Sequence, residues 1–119
     1  MAECVITAIG PDRRGLVDEL TGALHDRRVN IADSRMVNLH GQFAIIVLLE
    51  LPDDLAGAIR RELSAMGERI GLTVTVGAIG EATTPIGTGV PYRLRTYAMD
   101  QPGIVHRLTH LLDGQGINI

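Results

Sequence analysis

The sequence predicts an α+β fold of the ferredoxin-like type, with elements in the order β-α-β-β-α-β, followed by the first half of a second copy. Three observations lead to this prediction: alternating apolar residues in strand-like segments, two amphipathic helical segments between them, and an internal repeat. The 119-residue chain is long enough for one domain with its own core plus part of another. Since aromatic residues make up only 3% of it, that core must be aliphatic.

The first third of the chain is typical of two strands that flank a helix. Glu3–Ile9 is rich in β-branched residues and predicts the first strand. Asp12 is a candidate N-cap for a helix over Arg13–Arg27, and Asn30–Leu39 predicts the second strand. The apolar residues of this helix recur on one face: Leu16, Val17, Leu20, Ala23 and Leu24.

The next segment predicts a hairpin, a second helix and a fourth strand. His40-Gly41 suits a two-residue turn, and Gln42–Leu51 is apolar enough to be a central strand. A helix opening at Pro52-Asp53-Asp54 has its apolar residues on one face: Leu55, Ile59, Leu63, Met66 and Ile70. The fourth strand is indicated by the alternation of Leu72, Val74, Val76 and Ala78. We expect a four-stranded antiparallel sheet with both helices on one face.

The chain repeats itself. Residues 4–31 align with residues 92–119 without a gap, and eight of the 28 aligned pairs are identical, including Asp12 with Asp100 and Gly15 with Gly103. We therefore expect a complete domain over 1–80, a Gly-, Pro- and Thr-rich linker over 81–91, and an incomplete second domain over 92–119. The second copy would supply a strand at Tyr92–Met99, a helix at about Pro102–Asp113 and the first residues of the next strand.

Composition argues against several classes of function. The net charge of −3 disfavours binding to nucleic acid through a basic face. A single cysteine, Cys4, excludes an intrachain disulfide and a cysteine zinc site. The apolar run Phe43–Leu49 is too short to span a bilayer, and the start of the chain lacks the pattern of a signal peptide, so we expect a cytoplasmic protein. No nucleophile with its base and no phosphate-binding motif occurs, so we expect neither catalysis nor a cofactor.

One loop is a candidate anion site. Gly10–Gly15 joins the first strand to a helix N-terminus, whose free amides and dipole favour a carboxylate. We expect Asn30 and Asp33 beside this loop, where the aspartate could pair with an ammonium group. Together they would complement a free amino acid. The alternative is that Gly15 only permits a tight turn, Asp12 only caps the helix, and the strand-start residues only satisfy local backbone.

A second candidate cluster lies on the helix of the second copy. His106 and His110 are four residues apart and Asp113 follows three residues later, a spacing that could bind a metal. These residues point away from the apolar stripe of the helix and have no evident orienting partners. We therefore expect no metal site.

Residues 4–51 resemble an ACT domain. The segments that carry the resemblance are Val5–Val17, Asn30–Met36 and the apolar run from Phe43. With Asp100–Thr109 and Asn118-Ile119 in the second copy, the chain is most similar to the glycine cleavage system transcriptional repressor family, which carries two tandem ACT domains. This resemblance implies amino-acid sensing at interfaces between ACT domains, with glycine as the expected ligand. It also implies a homo-oligomer that regulates a separate DNA-binding activator by protein contact, without direct DNA contact.

The resemblance also implies which residues bind the ligand. This chain has Arg14 where the common family sequence Asp-Arg-Pro-Gly has its proline, and the replacement frees a backbone amide in the first copy. Carried over by position, the first-copy ligand residues are Asp12, Arg13, Arg14, Gly15, Leu16, Val17, Asn30, Ile31 and Asp33. The second-copy ligand loop would comprise Asp100, Gln101, Pro102, Gly103 and Ile104, with Asn118.

Two other functions stay open. Residues 4–79 also resemble the N-terminal ACT domain of a formyltetrahydrofolate deformylase, so the chain could be a regulatory module of such an enzyme. It could also be an assembly module without a ligand, since the edges of a four-stranded sheet invite pairing.

Overall fold

The computed structural model describes residues 1–80 and 89–119, which form two separate units, one on each side of residues 81–88. The first unit contains six elements and the second a single helix. The elements of the first unit are β1 (Ala2–Pro11), α1 (Leu16–Asp26), β2 (Asn30–Leu39), β3 (Gln42–Leu51), α2 (Ile59–Ile70) and β4 (Thr73–Gly80). The helix of the second unit is α3 (Ile104–Gly114).

The strands of the first unit form one antiparallel sheet in the order β2-β3-β1-β4. This confirms the ferredoxin-like βαββαβ arrangement predicted from the sequence. The bounds of β2 and β3 are those predicted, because their hairpin turn is fixed by two residues with positive φ, His40 (52°) and Gly41 (78°). β2 and β4 are the two edges of the sheet.

The core lies between the sheet and the two helices and is mainly aliphatic, as predicted; among the described residues Phe43 is its one aromatic member. From the helices, Leu20, Leu24, Ile59, Leu63 and Met66 are fully buried against it. From the central strands, the buried residues are Cys4, Ile6, Ala8, Phe43, Ile45, Val47, Leu49 and Leu51. Neither α1 nor α2 lies on the opposite face of the sheet, where Val5, Ile9 and Ile46 are about half exposed.

The end of β1 and the start of α1 differ from the predicted boundaries. β1 runs past Ile9 to Pro11, which pairs with Gln42 at the end of the ladder, where a missing amide costs nothing. Helix α1 begins at Leu16 and not at Arg13, because Gly15 precedes it in the left-handed conformation (φ 84°) and no side chain caps it. Asp12 is therefore not the N-cap.

The second helix of the first unit also begins later than predicted. Pro52-Asp53-Asp54 does not open it; residues 53–58 form turns, in which the Leu55 amide bonds to the Pro52 carbonyl at 3.0 Å. Helix α2 then starts at Ile59, the first residue of this stretch that is completely buried.

The second unit bears out the predicted helix but not the predicted strand. Helix α3 covers Ile104–Gly114, again starting after a left-handed glycine, Gly103 (φ 86°), rather than at Pro102. Residues 92–99 form no strand, because a strand is held by a neighbouring ladder and no described residue pairs with this segment. Most of the predicted linker, 81–88, lies outside the described residues, and 89–91 are exposed.

Candidate functional site

The β1–α1 loop, residues 12–15, is the best-defined part of the predicted amino-acid site. Gly15 turns the chain from the loop into α1 with a φ of 84°, a conformation that other residues rarely adopt. The Cβ of any other residue at this position would meet open space, so backbone conformation and not crowding requires the glycine. The loop is consequently open to solvent on the side of the helix N-terminus.

Asp12 connects the loop to the β2–β3 hairpin by hydrogen bonds. Its amide donates to the carbonyl of Gly41 at 2.9 Å, and its carboxylate accepts a hydrogen bond from the side-chain amide of Asn38. Asn38 was not among the predicted site residues. The topology could have indicated it, because β1 and β2 are both antiparallel to β3 and therefore end at the same end of the sheet.

Arg13 fastens the loop to both helices. Its guanidinium donates to the carboxylate of Glu19 on α1 and to the carbonyl of Ile70 on α2, the latter at 2.9 Å. The hydrogen bond from Arg13 lowers the pKa of Glu19 below its ordinary value. Gly10 lies so close to the turn after α2 that a Cβ there would come within 2.4 Å of the Gly71 carbonyl oxygen. The loop is thus held by contacts with the β2–β3 hairpin, helix α1 and helix α2.

The first turn of α1 presents unpaired donors next to this loop. The Leu16 amide makes only a long contact, 3.4 Å, with the Arg13 carbonyl, and the Glu19 amide bonds to the Gly15 carbonyl at 3.0 Å. Among the described residues, the amides of Val17 and Asp18 have no backbone acceptor. The Leu16 side chain is buried in the core, so only its backbone can face a ligand. Backbone amides of this kind can hold a carboxylate.

Charges of both signs surround the first turn. Asp18 and Glu19 lie within it and oppose a bound anion, while Arg13 and Arg14 precede it. Because Glu19 is paired with Arg13, its charge is largely compensated. Arg14, which replaces the family's proline, is exposed.

The structure does not bring Asn30 and Asp33 to this loop, and that expectation was wrong. Asn30 lies opposite Glu50, which lies opposite Glu3 at the beginning of β1, whereas the loop follows Pro11 at its end. The separation along β1 is about 26 Å at roughly 3.3 Å per residue. The reason is the register: β1 and β2 run in the same direction, so the start of β2 lies at the start of β1.

The start of β2 has contacts of its own. The Asn30 side-chain amide donates to the Glu50 carboxylate at 2.7 Å, and Ile31 packs against the core. The Asp33 carboxylate accepts from Arg35 and from the Ser34 amide, and both bonds hold its pKa below the ordinary value. Asp33 and Arg35 are both exposed on this edge strand.

The predicted loop of the second copy, residues 100–104, has the same backbone turn as the first. Gly103 has a φ of 86° and its carbonyl accepts from the Arg107 amide at 2.9 Å. Asp100, Gln101 and Pro102 are exposed and Ile104 is half-buried. Asn118 lines an open groove of about 350 Å³ with His106, His110 and Asp113.

The two histidines of α3 have ring centroids 5.8 Å apart. In the part of the chain that the structure describes, no three His, Cys, Asp or Glu side chains lie close enough together to hold a metal ion. None of the described helices has the length and apolarity needed to cross a membrane.

The fold and loop just described match a known family. The ACT-domain family model matches residues 3–77, which cover the whole sheet except the end of β4. The chain belongs to the ACT-domain family.

Among relatives of this ACT protein, the glycine cleavage system transcriptional repressor of Escherichia coli is 29% identical over 115 residues, 97% of the chain. The chain spans 60% of the length of that repressor. A UPF0237 protein of Methanopyrus kandleri is 36% identical over 78 residues, 64% of the chain and 87% of that protein.

Solved structures show the same likeness. An unknown protein from Galdieria sulphuraria is similar over 100% of the chain and 68% of its own, with a TM-score of 0.72 and 26% identity. A formyltetrahydrofolate deformylase from Pseudomonas putida is similar over 64% of the chain and 28% of its own, with a TM-score of 0.56 and 26% identity. The chain is thus similar to one protein named as a regulator and to another named as an enzyme.

Proposed function

We propose that this ACT protein is a non-catalytic regulator that binds a small amino acid, with glycine as the first candidate, and changes its contacts with a DNA-binding activator. The main support is the similarity to a glycine cleavage repressor over 97% of the chain, together with the braced, amide-presenting β1–α1 loop. The net charge of −3 favours a protein partner over direct contact with DNA.

The chemistry of the loop suits one end of an amino acid. The amides of Val17 and Asp18 would hold the carboxylate, and the exposed Arg14 side chain would add positive charge, since the charge of Arg13 is already paired with that of Glu19. The ammonium group needs a carboxylate partner, and Asp12 is the candidate on the loop. A small ligand suits a loop whose residues 12–15 are exposed to solvent.

The other predicted half of the site would come from a second copy. β2 is an edge strand, and antiparallel pairing with another β2 would place the start of one strand next to the end of the other. Asn30 of one copy would then lie near Asn38 of the other, which contacts Asp12. A register with Ser34 opposite its counterpart would also set each Asp33 opposite the other copy's Arg35.

Residues 92–119 are proposed to be the first half of a second ACT domain. The support is that α1 and α3 have the same length and that each follows a glycine in the left-handed conformation. The sheet that would bury α3 would be completed by strands from beyond Ile119 or from another chain.

The alternative is a regulatory ACT module of a formyltetrahydrofolate deformylase-like enzyme, favoured by the similarity of 64% of the chain to one such structure. An amino-acid-independent assembly module is the third possibility. A sequenced gene that continues into a hydrolase domain would support the deformylase alternative over the regulator.

The proposed function is tested by thermal unfolding of the 119-residue chain with each of the twenty amino acids. We expect glycine to raise the melting temperature, since a ligand at a hundred times its Kd adds about 2.7 kcal/mol to the stability of the folded state. Asp12→Asn should abolish this response. Asp26→Asn, which changes an exposed aspartate at the other end of α1, should leave it intact. No response to any amino acid would exclude the sensing role.

A further inference from the structure

The two edges of the sheet are protected in different ways. β2 has a charged pair of its own, Asp33 and Arg35, and such charges limit the partners that an edge can accept. β4, over Thr73–Gly80, reads TVTVGAIG, without a charged residue or a proline. Because half of these residues are β-branched Thr and Val, the strand has the composition of a segment that pairs readily with a copy of itself. Its protection must come from outside the strand.

Arg60 of α2 contacts this edge. Its guanidinium donates to the carbonyl of Val76 at 2.6 Å and to the carbonyl of Gly77 at 2.8 Å. The preceding residue, Ile59, is completely buried, so the base of this side chain is held in place by the core. The exposed Arg60 side chain therefore forms hydrogen bonds with the carbonyl groups of two successive residues of this edge strand.

An irregularity of the ladder makes this double contact possible. In a regular strand successive carbonyls point to opposite sides, and one side chain could not reach two of them from the edge. The β1–β4 register shifts between Cys4 and Ile6, opposite Gly77 and Ala78. Gly77 is required there, because a Cβ would come within 2.9 Å of the Val5 carbonyl oxygen. The bulge leaves both carbonyls accessible to Arg60.

We propose that Arg60 closes the β4 edge against pairing with the β4 edge of a second copy of this chain. A second β4 that paired along this edge would meet the Arg60 guanidinium at the carbonyls of Val76 and Gly77. Removing the guanidinium would leave an uncharged edge of eight residues with free acceptors, identical in both copies. The expected occupant of the opened edge is therefore another β4, in antiparallel orientation.

This inference complements the proposed function, in which the β2 edge carries the pairing, but it does not depend on it. Arg60 would confine assembly to β2 whether or not an amino acid binds there. Its test is made without amino acids and compares variants with the wild-type chain, so that a failure of sensing leaves its result unchanged.

The test is sedimentation of Arg60→Ala, measured over a range of concentrations in the full 119-residue chain. We expect half-maximal association at a concentration at least about tenfold lower than for the wild type, because two charge-assisted hydrogen bonds no longer compete with pairing. Arg61→Ala is the matched control. Arg61 is the next residue of the same helix, is exposed, and makes no hydrogen bond or ion pair to residues 1–80 or 89–119.

Hydrogen exchange locates the contact. In associated Arg60→Ala, amides of residues 73–80 should exchange more slowly than in the same variant at low concentration. Arg60→Lys keeps the charge but loses the double hydrogen bond, so its concentration of half-maximal association should lie between those of the wild type and Arg60→Ala. If circular dichroism shows that Arg60→Ala is unfolded, Arg60→Lys takes its place in the test. A folded variant with wild-type mass at every concentration, or association without protection of 73–80, would overturn the proposal.

Discussion

Helices α1 and α3 have nearly the same backbone but opposite burial. Each has 11 residues, each follows a left-handed glycine, with φ of 84° and 86°, and each ends in a residue of similar conformation, Arg27 and Gln115. The turns that follow match as well, with the Val29 amide bonding to Leu24 at 3.1 Å and the Ile117 amide to Leu112 at 3.0 Å. Yet α1 buries three leucines, whereas α3 buries no residue.

The segments that precede the two helices differ more in structure than the helices do. Ala2–Pro11 forms a strand between β3 and β4, while the aligned segment at 92–99 forms none. The comparison shows which parts of the motif are local. The turn and the helix follow from residues within a few positions of each other, whereas the strand and the buried helix face depend on segments distant in sequence.

The largest expected difference between the two helices is the loss of stability when an aligned leucine is replaced by alanine. Leu20 and Leu108 are aligned in the repeat, but Leu20 is 0% exposed and lies in the core. Leu20→Ala should lower the free energy of unfolding by about 2–5 kcal/mol, and Leu108→Ala by less than about 0.5 kcal/mol. Urea unfolding followed by far-ultraviolet circular dichroism measures both. Equal losses would mean that α3 is packed as firmly as α1.

The left-handed glycines should give a smaller effect that both copies share. Gly15→Ala should cost about 1–2 kcal/mol of stability, because alanine is disfavoured at a φ of 84°. Gly103→Ala should reduce the helix content of α3 for the same reason, as read from backbone chemical shifts. Gly22→Ala is the control: it lies within α1, its Cβ would meet open space, and it should stabilise the chain by about 0.5–1 kcal/mol. Destabilisation by Gly22→Ala as large as that by Gly15→Ala would contradict this account.

The same distinction between local and distant determinants explains what could be predicted from the sequence. The hairpin of β2 and β3 was predicted to the residue, because apolar alternation and a two-residue turn are local signals. The start of α1 was placed three residues early, since Asp12 resembles a cap and the sequence does not reveal that its carboxylate bonds to Asn38.

The candidate site shows the larger error. Asn30 and Asp33 were expected beside the β1–α1 loop from the βαββαβ topology, but their position depends on the register of three strands. The contacts of Arg13 with Ile70 and of Arg60 with β4 join residues 57 and 16–17 positions apart, so no local pattern indicates them. Which residues could bind an amino acid in one chain is therefore settled by tertiary structure, and the motif supplies only the loop.

The smallest expected difference between the copies is in pH dependence. Arg13 and Glu19 pair in the first copy, whereas the aligned residues of the second are Gln101 and Arg107. Since pairing lowers the pKa of Glu19 below its ordinary value of 4.5, the pair stabilises the folded state above that pH and loses its effect as the pH falls through the lowered pKa. The melting temperature of Glu19→Gln should thus lie below that of the wild type at pH 7 and approach it in acid. Glu68→Gln, at an exposed site on α2, is the control, and its melting temperature should not approach that of the wild type in acid. If the melting temperature of Glu19→Gln lies as far below that of the wild type in acid as at pH 7, the residue acts by packing and not by charge.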